Sequence, residues 1–187
     1  MINQLKFLKN GYYKFKIDKK TFNSCLKILN EKIKKNYKSF NKTSIDDIHK
    51  ILETDQLNNF RMKIFKDLNS SQKFKTLVFS SSKEYIESAV GSELCCSDLN
   101  LSIQLPNDKK SLLEMHTDFF SGESLFQVNL WMPFVPVKKT QSMFIMSPKK
   151  SIEALKLIKN DKKINFNKIK KKFNKDIKWI NFKLGEA

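Results

Sequence analysis

The triplet His116-Thr117-Asp118 sets an imidazole and a carboxylate two residues apart. If its segment, Leu112 to Phe119, is a strand, residues i and i+2 project to one face, and both groups can reach a single point. A neutral imidazole nitrogen and a carboxylate oxygen supply two thirds of the facial triad that holds iron(II) while leaving positions open for reactants. So short a triplet also recurs by chance, and taken alone it is more often a surface or structural His–Asp pair than a metal site. The other titratable candidates offer less. His49 falls in a predicted N-terminal helix and reads as a solvated side chain. Cys25, Cys95 and Cys96 are an odd count with no C-x-x-C spacing, which suits reduced thiols better than a disulfide framework.

Charge is the most conspicuous feature of the composition, +17 from 36 basic and 19 acidic residues. Only Arg61 is an arginine, leaving 36 − 1 = 35 lysines. Phosphate and base recognition draws heavily on the bidentate arginine fork. Lysine, asparagine, isoleucine and phenylalanine are abundant together, as an AT-rich coding sequence would produce, and the lysines are spread along the chain. A nucleic-acid partner is therefore not expected, with Lys168 to Lys175 as the only candidate patch. No apolar run approaches the roughly 18–20 residues that span a bilayer, and the start lacks a secretory apolar stretch. A cytoplasmic protein without a membrane partner is expected, and 187 residues suit one domain.

The elements that must position the triplet follow from hydrophobic periodicity. Tyr13, Phe15 and Ile17 alternate with lysines after the Gly11 break, predicting an early strand. From Thr21 the period changes, and Phe22, Cys25, Leu26, Leu29 and Ile33 form one stripe of an amphipathic helix. A second helix is predicted from Ser44, with Asp47 placed as in a capping box, and a third over Phe60, Ile64, Phe65 and Leu68. Ser80 to Ser82 could cap a fourth, with Tyr85, Ile86, Ala89 and Val90 inward. Beyond residue 98 the runs become short and alternating, predicting strands over Leu99–Leu105, Leu112–Phe119, Phe126–Val135, Ser142–Met146 and Ile177–Leu184, interrupted by a helix over Ser151–Lys159. The expected class is α+β, with 1–97 mainly helical and 98–187 mainly β.

The stretch from Ser102 to Pro148 carries a resemblance. The His116-Thr117-Asp118 strand, the Ser121-Gly122-Glu123-Ser124 turn, the Asn129-Leu130-Trp131-Met132-Pro133 strand and the Thr140-Gln141-Ser142-Met143 strand start resemble the 2-oxoglutarate/iron(II) oxygenases of the phytanoyl-CoA dioxygenase type. Within that type they look like the group encoded in sporadic surface-carbohydrate biosynthesis clusters. The opening Phe7-Leu8-Lys9-Asn10-Gly11-Tyr12 is similar too. The resemblance implies a double-stranded β-helix, or jelly roll, with a helical N-terminal layer. It implies Fe(II) held by His116 and Asp118, oxidative decarboxylation of 2-oxoglutarate, and oxidation of a small substrate, a sugar or sugar conjugate. Gln104, Asn129, Trp131 and Ser142 become candidates for lining the 2-oxoglutarate pocket, with interior packing as the alternative for each and core for Trp131.

The pattern departs from that family in one respect. The family carries a second histidine and a basic residue, usually arginine, on later strands, whereas His49 and Arg61 both precede the triplet. The final Ile180 to Ala187 resembles the strand and Gly-acidic-Ala turn that come just before the distal histidine strand, so the expectation is a C-terminally incomplete, impaired oxygenase. Two other readings stay open: a non-catalytic β-barrel binding protein of the same fold, and a lysine-rich binder of nucleic acid or anionic surfaces.

Overall fold

Three helices build the core, and each reflects a stripe of apolar residues. In a computed structural model, which describes residues 4–108, 115–118, 122–124, 126–160 and 166–187, a short helix α1 (Gln4–Asn10) precedes α2 (Lys19–Asn36). Asp18 caps α2 by accepting from the Thr21 backbone N–H, and Phe22, Cys25, Leu29 and Ile33 are its buried face. Helices α3 (Leu57–Asn69) and α4 (Gln72–Val90) pack on α2 and on each other. Leu57, Phe60, Ile64 and Leu68 of α3 meet Cys25, Leu29 and Ile33 of α2 and Phe74 of α4 in one continuous cluster. A fully buried side chain such as Phe60 or Ile64 contributes about 1.5–3 kcal/mol by leaving water.

Two helical expectations change in detail. The segment after Ser44 is a 3-10 helix, Ile45–Lys50, in which the Ser44 hydroxyl accepts from the Asp46 N–H. The Asp47 carboxylate pairs with Lys50 instead of closing a capping box. Helix α4 begins well before the predicted Ser80–Ser82 cap. Ser71 is its N-cap, and the hydroxyls of Ser80, Ser81 and Ser82 donate to carbonyls one turn back, which lets these residues sit inside a helix.

The β content is smaller than the alternation predicts. The described residues contain one two-stranded antiparallel sheet, β1 (Phe144–Ile145) with β2 (Lys178–Trp179), in the register Phe144↔Trp179 and Ile145↔Lys178. Ile180 N–H donates to Met143 O at 3.1 Å, and Val137 and Phe182 exchange both backbone bonds, extending the ribbon. Between these two pairings one side advances six residues and the other two; the 3-10 turn Lys139–Gln141, with Lys139 at φ 47°, takes up the difference. Helix α5 (Pro148–Asn160) follows β1 and contains the predicted helix; α6 (Phe166–Lys172) and a 3-10 turn, Asn174–Asp176, lead into β2.

The predicted strand Leu99–Leu105 is extended but joins no sheet. Its alternation is real: Leu99, Leu101, Ile103 and Leu105 pack on the helical core, and Ser102 and Gln104 are exposed. What it leans on is helix, so its pairing comes from a side chain. The Asn69 amide donates to Leu99 O at 2.9 Å and accepts from Leu99 N at 2.8 Å, serving as a one-residue strand neighbour. Residues 126–135 likewise form no strand among those described, although Leu130, Met132 and Phe134 pack together with Ile17 and Phe22. Of Leu112–Phe119, residues 112–114 and 119 lie outside the described residues, and 115–118 form no strand among those described. The class is thus mixed helix with a small antiparallel sheet, and no jelly roll is evident among the described residues.

The early segment also differs from a regular strand. After α1 it runs extended, and Phe15 exchanges backbone hydrogen bonds with Ala187 at 3.0 Å while Ile17 N–H donates to Gly185 O at 2.8 Å. Only a single bridge, Lys16↔Glu186, results. Lys14 reinforces it with a 3.0 Å ion pair to Glu186.

Candidate metal site

His116 Nε2 and Asp118 Oδ1 lie 3.2 Å apart, so the i, i+2 spacing does bring the two groups together. Both are partly open to solvent, with side chains 36% and 41% exposed. The carboxylate is held from its other side: the Asn129 amide donates to Asp118 Oδ2, and Gln127 Nε2 donates to Asn129 Oδ1 at 2.6 Å. Because Oδ1 of Asn129 is occupied as an acceptor, its NH2 group must face the carboxylate, and the chain Gln127–Asn129–Asp118 has one consistent sense. Glu123 N–H donates to Asp118 O at 3.2 Å.

Between the two groups sits Thr117, whose hydroxyl oxygen is buried and has no hydrogen-bond partner among the described residues. A buried hydroxyl left unmatched is unusual and marks a place where a further polar group would be satisfied.

The arrangement can be tested against an octahedral cation. Two adjacent ligands about 2.1 Å from one metal ion are separated by about 3 Å, the edge of the octahedron. The 3.2 Å between His116 Nε2 and Asp118 Oδ1 matches that edge, and the same separation serves a hydrogen-bonded ion pair when the imidazole is protonated. Imidazole with carboxylate also suits ferrous iron chemically. The residues present therefore fit two positions of a metal's shell; among the described residues no third His, Cys, Asp or Glu joins them. His49 is elsewhere, exposed on its 3-10 helix with Nδ1 3.1 Å from Asp46 O.

The remaining predicted pocket residues divide. Asn129 is at the site, but as the partner of Asp118. Trp131 packs edge-on against Phe182, centroids 4.9 Å apart, in a small cluster with Val137 and Ile180. Ser142 donates its hydroxyl to Ile180 O and ties the ribbon together. Gln104 is exposed on the polar side of its extended segment. Gln127 escapes sequence reasoning, although its i, i+2 relation to Asn129 is the same signal that pairs His116 with Asp118. Ser121 of the predicted turn lies outside the described residues.

No family model, curated protein or solved structure matches the chain.

Proposed function

We propose that this protein is a non-haem Fe(II)- and 2-oxoglutarate-dependent oxygenase acting on a small substrate, a sugar or sugar conjugate, in the cytoplasm. The observation that carries the reading is the His116–Asp118 pair, spaced at 3.2 Å like two adjacent ligands of one octahedral ion. The sequence resemblance around it lends support. The reading carries with it a double-stranded β-helix for residues 98–187, of which the 137–145 and 178–182 ribbon would be part.

Bound iron would supply a Lewis-acidic, redox-active centre for oxidising the substrate. The chain's own residues have separable tasks. His116 offers the Nε2 lone pair. Asp118 offers Oδ1 alone, because Oδ2 is engaged by Asn129, and this keeps the carboxylate a one-oxygen ligand. Gln127 fixes the Asn129 amide and so the carboxylate plane. With the two ligands found among the described residues, binding is expected to be weak and turnover of 2-oxoglutarate slow.

The test is anaerobic titration with cobalt(II) as a spectroscopic stand-in, followed by succinate release with iron and 2-oxoglutarate. Wild type should develop metal-dependent absorption, and His116→Ala and Asp118→Ala should each weaken it at least about 10-fold, the lower end expected when a site's supporting shell is damaged. Unchanged metal binding in both variants would remove the reading. Metal binding without any succinate release would favour the non-catalytic binding protein.

A further inference from the structure

Most helical lysines in this molecule that form ion pairs face an acid one turn away: Lys27 with Glu31, Lys50 with Asp47, Lys63 with Asp67, Lys83 with Glu87, Lys150 with Glu153. The segment from α6 through β2 breaks that habit. Residues 166–180 hold six lysines against one carboxylate, Asp176. Among the described residues none of Lys170, Lys171, Lys172, Lys175 and Lys178 forms an ion pair. A coding bias toward lysine explains how many there are, but not why these five make no ion pair.

Aromatic rings lie among these cations. Lys170 Nζ sits 5.3 Å from the Phe144 ring centroid, and the Phe144 ring meets Trp179 edge-on at 5.2 Å. Lys178 Nζ lies 5.2 Å from the Tyr12 ring. Both residues of β2 are exposed, Trp179 by 37%. By contrast the apolar residues of the preceding segment, Ile169 and Phe173, are buried.

We infer that α6 and β2 form a surface for single-stranded nucleic acid, with Trp179 as a stacking platform for a base and Lys170, Lys171, Lys172, Lys175 and Lys178 lying along the phosphates. Rings interleaved with cations are the design by which proteins hold single strands without reading sequence, since every base has a π-face. With no arginine in the patch, its lysines would neutralise phosphates as point charges and read no base edges. An anionic membrane fits less well: with Ile169 and Phe173 turned inward, Trp179 is the one large apolar ring the patch offers for insertion.

The experiment is fluorescence anisotropy of the full chain with labelled oligothymidylate of about 20 nucleotides, longer than common single-strand sites. Affinity should fall steeply with salt. Trp179→Ala should weaken binding about 5-fold or more, as expected when one base can no longer stack. Trp179→Phe, which keeps a ring against Phe144, should bind nearly as wild type and guards against a folding artefact. The triple variant K170A/K171A/K172A should flatten the logarithmic salt slope by about 0.7 for each phosphate that is no longer neutralised. The inference is overturned if duplex of equal length binds as tightly with Trp179→Ala unaffected, if phosphatidylserine vesicles bind and the oligonucleotide does not, or if neither binds.

Discussion

Cys25 and the Cys95–Cys96 pair show how burial sorts identical side chains. Cys25 is wholly enclosed between α2 and the core, and burial pushes its thiol up to about 11, so almost no thiolate exists near neutrality. Cys95 and Cys96 are exposed. Alkylation of the native protein at neutral pH should therefore label two thiols and unfolded protein three, as read by intact mass. Labelling of Cys25 in the folded state at the rate of the other two would contradict its burial. Glu186 offers a second residue-scale outcome. The Lys183 backbone N–H, and then Lys14, hold its carboxyl below the ordinary value of 4.5. A depressed folded value means the contribution is present above the unfolded value and is lost as pH falls through the folded one. Denaturation curves should show Glu186→Gln less stable than wild type at neutral pH, with the gap closing in acid. A gap that persists below about pH 3 would point to packing instead of charge.

At the scale of elements, α2, α3 and α4 are legible because each carries a stripe at helical spacing, and burial follows that stripe. Ile64 lies at the crossing of these helices with no exposure. Ile64→Ala removes its methyl groups and leaves a cavity the close-packed helices cannot fill, so a loss of about 2–5 kcal/mol is expected by chemical denaturation. A loss under about 1 kcal/mol would mean the helices close on the gap. The β half is less legible for a physical reason. Alternation reports that one side of an extended segment is buried; it does not report whether the covering layer is a sheet or a helix. At Leu99–Leu105 the cover is α3 with its neighbours, and Asn69 replaces the missing strand. At the ribbon, alternation and pairing coincide, and the strands exist.

For the whole molecule, the interactions that matter join distant parts of the chain. Phe15 and Ile17 pair with Ala187 and Gly185, and α1 packs against α4 and α5. Gly11, at φ +78°, turns the chain out of α1 where a Cβ would lie 3.3 Å from the Pro148 ring at the start of α5. Gly11→Ala adds left-handed strain of about 1–2 kcal/mol and crowds this junction. We expect a lower melting temperature and faster hydrogen exchange in α1, with the α2–α4 core still protected. Equal protection loss throughout would show that the junction and core unfold as one unit.

The sequence by itself determined the helical layer and the segments that are buried on one side, because both depend on spacing along a single element. It also supplied the +17 charge. Only the tertiary structure decided which layer covers each alternating segment, that Asn129 and Gln127 brace Asp118, that Trp131 packs on the ribbon while Ser142 ties it together, and that among the described residues Lys170, Lys171, Lys172, Lys175 and Lys178 form no ion pair around an exposed Trp179. Each of these depends on residues far apart in the chain meeting in space, and local periodicity carries no information about such meetings.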